Sequence, residues 1–399
     1  MSGGNEFSDG DDALQDRLYV NDGHGNFRRD AGALPKMAES GSCVVVGDFN
    51  GDGHPDLFVG RRSVSRAYGV SPRSYLLQND GKGHFTDLTD QIGPGLANVG
   101  MVTAAAWVDY DHDGKLDLIV VGEWTPVRVF HQENGRFVDR TTEAKLAGSN
   151  GWWNSVTVAD VNGDGRPDLV LGNLGLNSYL KASSAEPVRL YVGDFAHNGS
   201  SIGILTAYTN GASYIVPGRD ELLRVLPALR DRYSTYKEFA GRTIDEVLPA
   251  ADLRAATVRE ADDFATSVAL NRGDGTFELR ALPIEAQVST VDAVLADDFD
   301  GDGRTDLLLA GNDYGVPPLL GRYDASYGLF LRGTGGRGAD AQLFAPVGLT
   351  ASGLVLAGQV RHIRALRWAK GGRLIIAARN DDKLQVLKAS PSSSPPSTP

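Results

Sequence analysis

The sequence predicts an all-β protein built from four-stranded sheets arranged as the blades of a propeller. The chain has 49 Gly and only 3 Met among 399 residues, which favours many tight turns over long helices. Four segments share one pattern, in which short apolar runs flank a nine-residue Asp-rich loop. A second element recurs downstream, with an apolar pair, a Gly-containing turn and a Phe. Internal repeats of this kind are typical of propellers.

The four loop-bearing segments are each interpreted as a hairpin. Short apolar runs on both sides of a turn are typical of buried strands. The segments read VVVG-DFNGDGHPD-LFVG, AAAWV-DYDHDGKLD-LIVVG, VTVA-DVNGDGRPD-LVLG and AVLAD-DFDGDGRTD-LLLAG. Each hairpin supplies the first two strands of a blade.

The second element supplies the other two strands of a blade. It occurs at 18–27, 75–85, 129–137 and 268–277. We expect seven blades, with six as the alternative, and an incomplete first blade because 18–27 is the second half of a repeat. Residue 1 is therefore expected not to be the natural start. The single propeller domain is expected to span 1–388, followed by a disordered Ser/Pro-rich tail at 389–399.

A fifth, degenerate loop begins at Asp194. Its third and ninth positions are Ala196 and Ile202, so weak or absent metal binding is expected. We expect this loop to open an extra blade that closes with the turn at 271–277.

A helical insertion is predicted at about 217–262. Leu222, Leu226, Leu229 and Tyr233 are spaced as one face of an amphipathic helix. Pro227 should divide that helix. The insertion is expected to pack on the propeller and help shape a partner site, or only to cover apolar edges.

The loops carry oxygen ligands at positions one, three, five and nine, together with the backbone carbonyl of position seven. Ca²⁺ takes six to eight such oxygens, and a Gly at position six permits the sharp turn. The predicted ligands are Asp48, Asn50, Asp52, His54 and Asp56; Asp109, Asp111, Asp113, Lys115 and Asp117; Asp160, Asn162, Asp164, Arg166 and Asp168; and Asp298, Asp300, Asp302, Arg304 and Asp306. About four structural Ca²⁺ sites are therefore expected.

Two alternatives to calcium fit the loops less well. Mg²⁺ fits less well because it demands octahedral geometry and retains waters. Plain Asp-Gly turns without metal would leave three or four carboxylates repelling one another. The acid at position nine rather than twelve, and strands instead of helices on both sides, argue against an EF-hand switch.

Charge excludes several partners. The net charge of −12 disfavours binding to nucleic acid or to anionic membranes, and fourteen aspartates in the four loops account for it. No apolar stretch has the length of a membrane span. A monomer is expected.

The loops, with their Asp-Phe-Asn/Asp-Gly-Asp-Gly core, resemble the FG-GAP or VCBS repeats of integrin-α-like propellers over residues 18–388. The phrases at 172–177, 311–312 and 321–324 are similar to those of bacterial VCBS-repeat relatives of cartilage acidic protein. The resemblance implies a calcium-binding propeller that is secreted, periplasmic or on the cell surface. Ligand and activity vary among such proteins.

The function expected is binding or adhesion, without catalysis, to a protein or glycan partner. The alternatives are a lectin-like carbohydrate-binding module and a propeller-based carbohydrate-active enzyme. Exposed Trp side chains in one pocket, from the Trp152-Trp153 pair, would favour the lectin. Convergent acids or His362 in a central funnel would favour the enzyme.

Overall fold

The computed structural model describes residues 7–316, 321–336, 338, 341–368 and 373–389. The chain opens with a two-stranded hairpin of β1 (Leu18–Asn21) and β2 (Phe27–Asp30). Sheet I follows, with antiparallel strands in chain order: β3 (Cys43–Gly47), β4 (Asp56–Gly60), β5 (Tyr75–Asn79) and β6 (Phe85–Asp87). The Asp-rich loop joins β3 to β4, as predicted.

Sheet II has the same order and one added strand. It contains β7 (Met101–Val108), β8 (Asp117–Thr125), β9 (Arg128–Glu133) and β10 (Arg136–Asp139), and the short β11 (Gly151–Trp152) also pairs with β8. A short helix, α1 (Thr89–Ile92), lies between sheets I and II.

Sheet III is interrupted after its first hairpin, β12 (Ser155–Ala159) and β13 (Asp168–Gly172). The chain then forms an inserted sheet of β14 (Val188–Gly193), β15 (Ile202–Thr209), β16 (Ala212–Ile215) and β17 (Thr257–Ala261). Between β16 and β17 lie the short helices α2 (Arg219–Val225), α3 (Tyr236–Phe239), α4 (Ile244–Val247) and α5 (Ala250–Ala255). Strands β18 (Ser267–Asn271) and β19 (Phe277–Ala281) then complete sheet III.

The last two sheets repeat the pattern. Sheet IV contains β20 (Val291–Asp297), β21 (Asp306–Gly311), β22 (Leu329–Gly333) and β23 (Phe344–Val347). Helix α6 (Leu349–Ser352) precedes sheet V, which contains β24 (Val360–Arg367), β25 (Arg373–Arg379) and β26 (Gln385–Ala389). Apart from Ala389, the predicted tail lies outside the described residues.

One prediction about the third repeat is wrong. The turn at 271–277 closes sheet III, because Val170 pairs with Val268, and not a blade opened by the Asp194 loop. Helices α2 to α5 lie within 217–262 and are part of an excursion that carries its own four-stranded sheet. Sequence spacing could not show this because the partner strands β13 and β18 are nearly 100 residues apart. Pro227 does divide the helical segment, since α2 ends at Val225 and a 3₁₀ turn spans Pro227–Leu229.

Sheets I to V pack against one another in chain order. Their first strands pack side by side in the order β3, β7, β12, β20 and β24, and all five line one central cavity. Apolar cores fill the four spaces between consecutive sheets, with Phe58 and Phe130 between sheets I and II and Leu169 and Trp153 between sheets II and III. This arrangement is propeller-like, and the expected count of seven blades stays a prediction.

None of the described helices has the length and apolar character needed to cross a bilayer.

Candidate functional site: Asp-rich loops and a central cavity

All four loops fold in the same way around the first Asp. In the first loop, Asp48 accepts hydrogen bonds from the backbone N–H groups of Gly51 at 2.8 Å, Asp52 at 3.1 Å and Gly53 at 2.8 Å. Asp109, Asp160 and Asp298 accept equivalent bonds in the other loops. The loop shape therefore follows from the Asp and Gly pattern that the sequence displays.

Position six needs glycine because its backbone is left-handed. The φ angles there are +86° at Gly53, +85° at Gly114, +85° at Gly165 and +82° at Gly303. The degenerate loop makes the same turn, since Asp194 accepts N–H bonds from Asn198 at 3.0 Å and Gly199 at 2.8 Å. That loop has kept its turn while its sequence has lost two ligand positions.

The position-nine Asp has a role that sequence reasoning missed. Asp56, Asp117, Asp168 and Asp306 are all fully buried. In each carboxylate, one oxygen accepts a hydrogen bond from the backbone N–H of loop position two. The other oxygen accepts a backbone N–H of the third strand of the same sheet, at 2.8 Å in all four. Burial raises the pKa of Asp117 and of Asp168 to about 6. These carboxyls join the loop to the third strand of the same sheet.

Each loop is also held by the sheet that follows it. The Gln132 amide of sheet II donates to Phe49 O at 2.5 Å, and the Asn271 amide of sheet III donates to Tyr110 O at 2.7 Å. The Thr305 hydroxyl donates to Asp160 O at 2.7 Å, and Arg373 donates to Asp298 O at 3.2 Å. The loops therefore lie at the contacts between consecutive sheets, where a bound ion would affect both.

The carboxylates converge closely enough for a cation in two of the loops. Ligand atoms of Asp109, Asp111 and Asp117 lie within 4.8 Å of one another, and so do those of Asp298, Asp300 and Asp302. Hard oxygen atoms from alternate residues are the donors that Ca²⁺ prefers, so the residues present fit the ion. The full ligand sets predicted from the sequence stay predictions.

His131 was missed as a neighbour of the second loop. Its Nδ1 lies 2.9 Å from Asp117 Oδ1 and 3.6 Å from Asp111 Oδ2. Strand β9 brings it there, because Gln132 beside it is the residue that bonds to Asp117. Only the pairing of β8 with β9 could reveal this contact.

The central cavity has a volume of about 1100 Å³ and is lined by the first strands of all five sheets. Four of its charged residues lie near the ends of the strands opposite the Asp-rich loops. Arg62 follows β4, Glu123 lies near the end of β8, and Asp292 and Arg361 lie near the starts of β20 and β24. Trp152 and His362 also line it.

One polar cluster in the cavity is centred on Glu123. This carboxylate is largely buried, and it pairs with Arg62 Nη2 at 2.5 Å through Oε1. Its Oε2 accepts the Tyr68 hydroxyl at 2.7 Å, and Tyr68 in turn accepts the Trp124 Nε1–H at 3.0 Å. These contacts hold Glu123 and Tyr68 in fixed positions.

A second polar cluster pairs Asp292 with Arg361, whose Nη1 lies 2.7 Å from Asp292 Oδ1. Burial raises the pKa of Asp292 to about 6 and Asp313 adds to this shift, although Arg361 and the more distant Arg62 act against it. Arg62 follows a strand of sheet I and Asp292 belongs to sheet IV, so the cavity is lined by polar clusters from different sheets. Burial also lowers the pKa of His362, which favours its neutral form.

The inserted sheet forms part of the wall and extends across to sheet I. Leu205, Val216 and Glu221 line the cavity. On the same sheet, Arg259 donates to Gly69 O and, at 2.7 Å, to Ser71 Oγ in the β4–β5 connection. The insertion thus leaves sheet III and contacts the β4–β5 connection of sheet I.

The Trp152-Trp153 pair divides between two roles. Trp153 is fully buried in the core between sheets II and III and donates its Nε1–H to Ser149 O at 2.8 Å. Trp152 is partly exposed, lines the cavity, and packs edge to face on Trp124 with ring centroids 4.9 Å apart. The cavity thus contains a partly exposed Trp, which is the feature expected of a lectin. It also contains several acids and His362, which are the features expected of an enzyme.

Comparison with known proteins identifies repeats in the first half of the chain. The family model described as FG-GAP-like repeat matches residues 7–59, 67–120 and 109–171. The resemblance to FG-GAP repeats is therefore confirmed for these segments, while that to the relatives of cartilage acidic protein stays a prediction. No curated protein sequence matches significantly.

Solved structures with similar chains are remote in sequence and shape. The V. cholerae biofilm matrix protein Bap1 is 12% identical, with a TM-score of 0.35, covering 95% of this chain and 74% of Bap1. A lectin of Agrocybe aegerita that recognises non-reducing terminal N-acetylglucosamine is 14% identical, with a TM-score of 0.31 and coverages of 93% and 87%. The exotype rhamnogalacturonan lyase YesX is 14% identical, with a TM-score of 0.32 and coverages of 89% and 57%.

Proposed function

Because the chain carries FG-GAP-like repeats, we propose that this protein is a calcium-stabilised binding propeller. It acts outside the cytoplasm, in the periplasm, at the cell surface or as a secreted protein, and binds a glycan or protein partner without converting it. The observation that supports this best is that the Asp-rich loops and the charged cavity residues lie at opposite ends of the same hairpins.

The separation gives calcium a structural role. β3 is five residues long, so a strand of about 3.3 Å per residue places roughly 15 Å between its loop and its opposite end. An ion in the loop is therefore too far from Arg62 or Glu123 to bind the same small ligand. It instead neutralises carboxylates at the contact between two sheets.

The four proposed sites use the residues predicted from the sequence, with Ca²⁺ as the ion and the loop at Asp194 weak or inactive. Loops of this kind in extracellular modules bind Ca²⁺ at about 10⁻⁴–10⁻³ M, which suits a compartment rich in calcium. A monomeric ring of seven blades is part of this proposal. The proposal of a ring is supported by the five sheets whose first strands line one cavity.

Calorimetry with and without calcium tests the proposal. With a dissociation constant of about 10⁻⁴–10⁻³ M, about 1 mM Ca²⁺ bound only to the folded state adds roughly 0.4–1.4 kcal/mol per site. Millimolar Ca²⁺ should raise the melting temperature well above its value in excess chelator, and Mg²⁺ should restore less. Equal melting temperatures in calcium and in chelator would contradict the structural role of the metal.

A carbohydrate-active enzyme is the second candidate. The observation that favours it is the convergence of Glu123, Asp292 and His362 on one cavity, since carboxyl and imidazole groups can serve as general acid and base. Incubation with a panel of polysaccharides tests this candidate. New reducing ends that disappear in an Asp292→Asn variant would establish turnover and overturn the non-catalytic proposal.

A further inference from the structure

We propose that the central cavity binds the end of an uncharged oligosaccharide, held by Arg62, Glu123, Asp292 and Arg361 and stacked on Trp152. The inference rests on the proposed binding function and names its ligand class. It assigns the ligand to the axis of the molecule, near the ends of the strands that lie away from the metal loops.

The charge pattern selects a neutral polar ligand. Each arginine in the two clusters is paired with a carboxylate, at 2.5 Å for Arg62 and Glu123 and 2.7 Å for Arg361 and Asp292. Glu221, Asp313 and Arg364 also line the cavity, which therefore has four acidic and three basic side chains among its described residues. The opposite charges largely cancel, so the cavity offers little net attraction to a strongly acidic or basic chain. Guanidinium and carboxylate groups nevertheless present several donors and acceptors in fixed planes, which suits vicinal hydroxyl groups.

The arginines have donors left for a ligand. About half of the Arg62 side chain, 54%, stays exposed in spite of its ion pair. A third of the Arg361 side chain, 34%, is also exposed, although its guanidinium donates as well to Asn312 O at 3.2 Å and to Gln359 Oε1 at 3.0 Å. Glu123 and Asp292 are the more buried partners, at 8% and 17%. The carboxylates thus orient the arginines, and the arginines present N–H groups to the cavity.

The aromatic wall provides the second requirement of sugar binding. Trp152 packs against Trp124, with ring centroids 4.9 Å apart, and against Phe264 at 5.4 Å, so its ring is held in one orientation. A Trp ring that is partly exposed offers a flat apolar surface for the C–H face of a sugar. Its neighbours in the wall include the uncharged polar side chains of Asn154, Thr157 and Thr290.

Size and preorganisation agree with a short oligosaccharide. A volume of about 1100 Å³ is at the upper end of small-ligand sites and too small for a folded partner. Glu123 is fixed by Arg62 and by Tyr68, and Tyr68 is fixed by Trp124. Groups held before binding lose little entropy when the ligand arrives.

The test measures binding of defined probes to the whole calcium-loaded chain. Uncharged cello-, xylo-, manno- and chito-oligosaccharides of two to six units are compared with oligogalacturonides and a lysine-rich peptide. Titration calorimetry gives the affinity, and Trp fluorescence reports on Trp152. At least one neutral series should bind, with a change in fluorescence.

Two variants remove single charges, and one matched variant is the control. Glu123→Gln and Asp292→Asn should each weaken binding by about tenfold or more, since a hydrogen bond to a charged group is worth about 1.5–3 kcal/mol. Glu133→Gln lies on the same sheet but pairs with Arg140 outside the cavity, and should leave affinity within about twofold. Melting curves in calcium show whether each variant is folded.

Three results would overturn the inference. The first is that no neutral oligosaccharide binds. The second is that the lysine-rich peptide or the oligogalacturonides bind more tightly than every neutral series. The third is that neutral oligosaccharides bind both cavity variants with unchanged affinity. If calcium still raises the melting temperature in those cases, the calcium-stabilised propeller stands and only the assignment of the cavity fails. If calcium has no effect while neutral oligosaccharides bind through Glu123, the structural role of the metal fails and the cavity assignment stands.

Discussion

At the scale of single residues, identical amino acids in the Asp-rich loops have different tasks. The Asp at position five, such as Asp302, shares a carboxylate cluster with Asp298 and Asp300. The Asp at position nine, such as Asp306, is buried and accepts N–H bonds from Phe299 at 3.0 Å and Gly333 at 2.8 Å. Asp302 is therefore placed to bind metal, whereas Asp306 joins the loop to the third strand even without metal.

Alanine substitutions separate these tasks in the fourth loop. In excess chelator, Asp306→Ala should lower the free energy of unfolding by about 2–4 kcal/mol, because it leaves two backbone N–H groups without partners. Asp302→Ala should cost less than about 1 kcal/mol there, since removing it also relieves carboxylate repulsion. In millimolar calcium both variants should melt below the wild type. Denaturant melts in the two buffers measure this, and equal losses in chelator would show that position nine has no separate role.

The buried Asp292 predicts a dependence of stability on pH. Its pKa of about 6 in the folded state lies above the ordinary 3.8, so the folded protein holds this proton more tightly. Its stabilising contribution is therefore present below about pH 4 and is lost as pH rises through about 6. Between pH 4 and 7 the wild type should lose on the order of 2 kcal/mol more than Asp292→Asn. Parallel stability curves for the two proteins would contradict the raised pKa.

At the scale of elements, the unit of this fold is a hairpin with a loop at one end and a glycine at the other. The second strands β4, β8, β13 and β21 contain or end at Gly60, Gly122, Gly172 and Gly311. At the last three, a Cβ would lie 2.0–2.2 Å from a backbone carbonyl oxygen of a neighbouring strand or sheet. At Gly172 that oxygen belongs to Val291 at the start of sheet IV. Consecutive sheets thus approach closely there because the side chain is absent.

Gly172→Ala should be strongly destabilising for this reason. The added methyl group would lie 2.2 Å from Val291 O and 2.4 Å from Ser155 Oγ, so sheets III and IV must separate. We expect a loss of about 2–3 kcal/mol by the usual cost of overpacking. Gly148→Ala is the control, because nothing lies within 4 Å of its Cβ position and it should change stability little. Similar melting temperatures for the two variants would show that the sheets can adjust.

At the scale of the whole molecule, sheet III joins two structures. Its second and third strands are neighbours, yet the chain between them forms the inserted sheet and its helices. The insertion packs on the propeller through an apolar cluster that includes Met101, Trp124, Leu190 and Phe264. It therefore forms part of the wall of the central cavity without taking part in the pairing of sheet III.

Removing the insertion tests this division. Replacing residues 174–265 by a short Gly-containing turn should leave a cooperative, calcium-dependent fold, because β13 and β18 are antiparallel neighbours. The melting temperature should fall, since Met101 and Trp124 lose their cover, and ligand binding in the cavity should be lost with the wall residues Leu205, Val216 and Glu221. Circular dichroism and calorimetry with and without calcium measure the fold. Loss of cooperative unfolding would show that the insertion is part of the folding core.

The sequence by itself determined the parts of this protein that depend on neighbours along the chain. The Asp-rich turns, the strands beside them and the Gly-turn hairpins all depend on contacts a few residues apart, and all are found where they were predicted. Only the tertiary structure decided which hairpins share a sheet, as the pairing of Val170 with Val268 shows. It also placed His131 beside Asp117, and brought Arg62 and Asp292 into the lining of one cavity. The physical reason is that strand pairing and the cavity walls bring together residues about 15 to 230 positions apart. The local pattern of Asp, Gly and apolar residues is the same in every hairpin, so it does not specify which other hairpin pairs with it.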